Sequence, residues 1–135
     1  MFLTDDDYNT LIEPGDLEVA QGSTPEGRER AERMAQEEIS SALRSRYNVD
    51  AIFAATGDER NDEVIGWMLD IALYHMHAKL SRRMGMETRK ERYDSVKSTL
   101  SQIARGRLMP DLPLRPNDAG NPMRFNSEAK QRYGW

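Results

Sequence analysis

The stretch Asp62–Leu80, DEVIGWMLDIALYHMHAKL, decides the fold. Val64, Ile65, Trp67, Met68, Leu69, Ile71, Ala72, Leu73, Tyr74, Met76, Ala78 and Leu80 leave it almost no polar face. A helix that is apolar nearly all round is buried on several sides, so the segment predicts the central helix of a bundle. Asn61 or Asp62 supplies its cap, it runs to about Arg83, and Gly85 breaks it. Its longest apolar run, Val64 to Ala78, is interrupted by Asp70, His75 and His77. That run is too short and too polar for a bilayer span, which needs about 20 residues.

A buried helix requires neighbours to bury it, and both flanks supply them. Downstream, Thr88 and Glu91 read as a capping box, Tyr93, Val96, Leu100, Ile103 and Ala104 follow the 3, 4, 3 spacing of a core-facing stripe, and Gly106 fits the C-terminal cap. Upstream, Thr24, Pro25 and Glu26 open a helix to about Arg46. Its stripe is Ala31, Ala35, Ile39, Ala42, Leu43 and Tyr47, with Glu26–Arg30 and Glu29–Arg33 pairs on the wet side. Thr4 followed by Asp5, Asp6 and Asp7 caps a short first helix carrying Tyr8, Leu11 and Ile12, which Pro14 and Gly15 are expected to end. Gln21 to Ser23 reads as a flexible link. Residues 48–61 are a connector whose Val49, Ile52 and Phe53 either pack locally or form a short strand. The predicted fold class is all-α, a small four-helix bundle on residues 1–107.

Beyond Arg107 the character changes. Pro110, Pro113, Pro116 and Pro122, with Gly120, oppose regular structure, so residues 108–135 read as an extended arm, with a final helical turn from Asn126 or Ser127. The arm ends in Phe125, Tyr133 and Trp135, aromatic surface that is costly to leave in water. Either it folds back on its own subunit or it docks elsewhere.

At 135 residues and 38% hydrophobic, the chain supports one modest core. The absence of cysteine excludes disulfides, thiolate metal sites and cysteine nucleophiles. Residues 1–10 hold three aspartates where an export signal needs a basic start and an apolar run, so a soluble, non-exported protein is expected. The net charge of -4 conceals a polarity along the chain: residues 1–20 carry six acids and no base, whereas residues 79–107 carry nine bases and three acids. Such a dipolar chain attracts its own copies or offers its basic stretch to a polyanion, unless the charges form an ordinary solvated surface.

Chemistry is sparse. His75 and His77 sit two apart on one helix, pointing roughly 200° away from each other, and do not share a metal. Asp70 is set among apolar residues, where an inter-helix ion pair with an arginine is a better reading than catalysis. The sequence lacks a phosphate loop, a nucleophile elbow and the HExxH pattern, so no enzyme, metal or cofactor is expected. Lys79, Arg82, Arg83, Arg89 and Lys90 surround the turn between the last two helices and suit phosphate contact without sequence readout. No base-reading helix emerges, leaving a small DNA-binding regulatory protein as the alternative to a structural role.

In order along the chain, FLTDDDYNTLI, ISSALRSRYNVD, DEVIGWMLDIALYHMHAKL and ERYDSVKSTLSQIARGRL before a proline-rich tail resemble the head-tail connector proteins of tailed bacteriophages, also called head completion or adaptor proteins. The resemblance covers about residues 2–110 and rests on the ordered set, including the Arg46-Tyr47 step and the Ala104-x-Gly106 turn. The connector after Tyr47 departs from it in lacking proline. The resemblance implies a non-enzymatic virion protein of the neck, assembled from the host cytoplasm. It implies a homo-oligomeric ring, typically of twelve copies, that extends the DNA channel beneath the portal protein, with a tail-side stopper or completion protein below and passive contact with DNA. It further implies that the arm docks on the portal or a neighbouring subunit through Arg124, Phe125, Tyr133 and Trp135, and that Lys79, Arg82, Arg83, Arg89 and Lys90 face the channel or a subunit interface.

Overall fold

The computed structural model describes residues 2–22, 26–78 and 86–116. Its elements are α1 (Asp5–Asn9), α2 (Pro14–Gln21), α3 (Glu26–Leu43), α4 (Val49–Ala54), a 3-10 turn at Gly57–Glu59, α5 (Asp62–His77) and α6 (Met86–Ala104). The fold is all-α. Tyr47 and Leu114 form an isolated antiparallel bridge, the only pairing of extended chain among the described residues.

As its composition demands, α5 is the centre: α3 and α6 pack on it and on each other, while α1 and α2 cover its remaining side. Val64, Ile71, Ala72 and Leu73 are wholly buried in α5, and Met68 and Met76 nearly so. They meet Ala35, Ile39 and Leu43 of α3, Val96, Leu100 and Ile103 of α6, and Tyr8 of α1 in one core. The expected stripes hold, except that Ala104 is exposed at the C-terminal end of α6 and Ala42 and Tyr93 are only partly buried.

Two local expectations need correction, and the connector takes the first of its two readings, local packing rather than a strand. Pro14 and Gly15 open a helix rather than end one. Proline at the first helical position lacks an N–H that would have no partner there anyway, and burial of Leu17 and Ala20 holds α2 in place. The connector is helical over Val49–Ala54, because the Asn48 side chain accepts from the Ala51 N–H at 3.1 Å while Ile52 is buried and Phe53 packs edge-on against Phe2. Finally, α6 starts at Met86, which places Thr88 inside its first turn rather than at the cap. The helix α5 ends at His77 with Ala78 as its cap, short of the expected run to Arg83, and the Thr24 and Gly85 signals lie outside the described residues.

The C-terminal end of α6 behaves as read. Gly106 has φ +78°, and the Arg107 N–H reaches back to the Gln102 carbonyl at 2.8 Å, the closure that a left-handed residue after the helix allows. Residues that follow lie along the body: Leu112 is buried, Asn48 N–H donates to the Pro113 carbonyl at 2.8 Å, and Arg115 N–H donates to the Arg46 carbonyl at 2.9 Å. Arm residues from 117 onward, with the turn expected at Asn126 or Ser127, lie outside the described residues.

Candidate interaction surfaces

Polar residues drawn into the helix seams are occupied in holding the helices together. Asp70 on α5 accepts from Arg92 Nε on α6 at 2.7 Å, the arginine partner its setting called for. Glu38 on α3 joins all three long helices: one oxygen lies 2.6 Å from His75 Nε2, the other accepts from Tyr93 Oη at 2.9 Å and Lys97 Nζ at 3.0 Å. Burial alone would raise the Glu38 carboxyl, but the bonds from His75, Lys97 and Tyr93 outweigh it and hold it below its ordinary value. Tyr93 stacks on Tyr74 with centroids 4.1 Å apart. His77 is buried and its Nδ1 lies 2.8 Å from the Leu73 carbonyl one turn back. The two histidines therefore have different partners, and no group of three potential metal ligands occurs among the described residues.

The N-terminus is clamped by two arginines from elsewhere in the chain. Arg60 Nη1 lies 2.5 Å from Asp7 Oδ2 and 2.8 Å from the Phe2 carbonyl, which secures Phe2 and Leu3 against the body. Arg28 bonds Asp5 at 2.6 Å and Glu32 at 3.1 Å and lies over the Tyr8 ring, whose hydroxyl donates to Glu32 at 2.6 Å. The ion pair within α3 is thus Arg28–Glu32 rather than the pairs expected on its wet face.

Of the basic cluster expected near the α5–α6 turn, Lys79, Arg82 and Arg83 lie outside the described residues, as do Arg124, Phe125, Tyr133 and Trp135. Arg89 and Lys90 are adjacent on α6 yet do not converge. Lys90 is exposed and pairs with Asp94 at 2.9 Å. Arg89 is half-buried beside Arg92, with Nη1 enclosed and without a hydrogen-bond partner among the described residues. Burial, then the Arg92 charge, lowers its pKa against the pull of Asp70. It borders a cleft of about 580 Å³ formed with Asn9 to Glu13, Asp16, His77 and Thr88.

A different basic surface was missed by sequence reasoning. Arg44 and Arg46 follow α3, Arg105 and Arg107 flank the Gly106 turn after α6, and Arg115 sits on the bridged segment; all five are exposed. The fold gathers them at one end of the bundle: the Arg46 guanidinium lies against Gly106, 3.3 Å from where a Cβ would stand, and Arg115 Nη1 donates to the Arg44 carbonyl at 3.4 Å. The available signal was the recurrence of arginine after two helices, legible only once those helices are known to end side by side.

A family model described as Bacteriophage Mu, Gp36 matches residues 3–127. The chain belongs to that family. The Gp36 match spans every helix described above, the bridged segment and part of the arm, so it concerns the whole body rather than one motif. Gp36 membership makes this a phage protein, in agreement with the phage resemblance of its ordered segments. No curated protein and no solved structure matches it. No helix among the described residues is long and apolar enough to cross a membrane.

Proposed function

We propose that this Gp36-family chain is a head-tail connector of the virion neck, a non-enzymatic adaptor whose ring extends the DNA channel beneath the portal. The observation that carries the reading is the phage-family match over residues 3–127, joined to the resemblance of the ordered segments to connector proteins. The physical character of the chain supports it. A cyclic ring requires unlike patches on each subunit. The acidic first 20 residues and the basic residues 79–107 are such a pair. The arm beyond Pro116 carries the docking residues Arg124, Phe125, Tyr133 and Trp135 to the portal or a neighbouring subunit. Lys79, Arg82, Arg83 and the exposed Lys90 face the channel, where they meet phosphates without reading bases, or a subunit interface, while Arg89 is turned into the cleft beside α1 and α2. The tail-side partner is a stopper or completion protein.

Complementation tests this. Phage lacking the gene should accumulate filled heads and separate tails, and adding the purified full chain should restore joined, infectious particles. Joined particles in its absence would overturn the proposal. Steeply salt-dependent duplex binding by the isolated chain, combined with normal joining, would favour the regulatory reading instead.

A further inference from the structure

The arginine-rich end of the bundle also carries exposed apolar side chains. Leu108, Met109 and Leu114 are 42%, 73% and 64% exposed, and Arg46, Arg105 and Arg107 make no ion pair among the described residues, whereas Arg44 pairs with Glu37. Asp50, Glu37 and Asp111 are the acids nearby, so arginine is in excess. Arginine interleaved with leucine and methionine is the composition of a protein-binding surface; a bare phosphate backbone has little to offer the apolar groups.

The complementary surface is on the same molecule. On α1, α2 and their loop, Asp6, Glu13, Asp16 and Glu18 are exposed and these elements carry no base of their own, though Arg28, paired with Asp5 and Glu32, and the half-buried Arg89 border the face; Val19 on α2 is 51% exposed there. This acidic element adjoins the start of α3, where Gly27 packs directly beneath the Gln21 carbonyl so closely that a side chain there would collide with it. The arginines gather at the other end of α3, about 27 Å away for an 18-residue helix. Patches of opposite charge at opposite ends of one helix cannot meet within a subunit.

We propose that they meet between subunits: the Arg44, Arg46, Arg105, Arg107 and Arg115 end of one copy, with Leu108, Met109 and Leu114, docks on the acidic α1–α2 face of the next copy around Val19. The contact is head-to-tail, so it propagates and closes a ring if the rotation permits. It refines the connector reading and rests on it, and it assigns the subunit interface to residues other than the Lys79 to Lys90 stretch.

The lack of native cysteine permits a direct test. Purified full-length chain carrying both Val19→Cys and Leu114→Cys, oxidised at low salt, should give a ladder of disulfide-linked multimers. A mixture of the two single variants should give chiefly the mixed dimer. Adding Arg46→Glu and Arg107→Glu to the Leu114→Cys chain should lower mixed-dimer yield about tenfold, and Asp16→Arg with Glu18→Arg in the Val19→Cys chain should restore it. A double-cysteine chain no more reactive than its singles, or yields indifferent to charge reversal, would overturn the proposal. So would an arginine reversal that abolishes duplex binding and leaves cross-linking untouched, which would make this end a DNA surface. The connector reading is judged apart: a ring in the particle with unreactive cysteines sinks only this interface, whereas absence of the chain from particles sinks both.

Discussion

Asp70 Oδ1 and Arg92 Nε lie 2.7 Å apart across the α5–α6 seam, and the Asp70 charge also attracts Arg89, one turn before Arg92 on the same helix. One acid therefore pairs with one guanidinium group and attracts a second without bonding it. The Asp70 side chain is 12% exposed and Arg92 44%, so the partners are unequal. Removing the acid leaves two cations together at a partly buried site, while removing Arg92 leaves the acid still near Arg89. Asp70→Ala should cost about 1–3 kcal/mol and Arg92→Ala about 1 kcal/mol or less, the second being screened by solvent. Urea unfolding followed by circular dichroism reads both; equal losses would contradict the shared-acid arrangement.

The clamp on the N-terminus predicts an acid limb to stability. Burial alone would raise the Asp7 carboxyl, but bonds from Arg60 and Thr4 prevail and hold it below its ordinary value. A group depressed in the folded state contributes stability above its unfolded pKa and loses it as pH falls through the folded one. Glu38, likewise held below its ordinary value, adds the same sign. Stability should be flat near neutrality and fall below about pH 4. Asp7→Asn should cost about 1–2 kcal/mol at pH 7, and the gap from the parent chain should narrow towards pH 3. Thermal unfolding from pH 7 to 3 is the check; a gap constant with pH would refute the assignment.

Gly106 is a site where backbone conformation and space agree. Its φ of +78° strains any side chain, and a Cβ there would stand 3.3 Å from Arg46 Nη2. Gly106→Ala should destabilise by about 1–2 kcal/mol, against no more than about 0.5 kcal/mol for Ala substitution at exposed Arg105. Denaturant midpoints of the two variants make the comparison.

What the sequence disclosed and what it hid follow from how local each cause is. Residues 64–76 read as a buried helix because their composition alone leaves no polar face, and the Val96, Leu100, Ile103 stripe and the Gly106 cap are equally local. Pro14 misled because proline both ends helices and begins them, and the choice was settled by the burial of Leu17 and Ala20 against α5, a tertiary matter. The Val49–Ala54 helix was ambiguous because six residues carry too little periodicity. The need of Asp70 for an arginine was legible, though not which one. The arginine-rich end was invisible because its members come from segments separated by about 60 residues of chain.

Burial of Leu112 and the Tyr47–Leu114 bridge set where the chain can be cut. Truncation after Gly106 should cost about 1.5–3 kcal/mol, the worth of one buried leucine. Truncation after Pro116 should leave the unfolding midpoint unchanged while abolishing head-tail joining, because it removes Arg124, Phe125, Tyr133 and Trp135 and leaves Leu112 and the Tyr47–Leu114 bridge in place. Matched midpoints together with normal joining would show that the arm has no docking role.

The central claim is a position in the particle, and image reconstruction of the mature virion neck tests it most directly. The expected image is a ring of helical bodies between the portal vertex and the tail, fitted by α1 to α6, with the chain's C-terminal residues reaching a neighbouring molecule. A neck without such a ring, in particles shown by mass spectrometry to lack this chain, would contradict it.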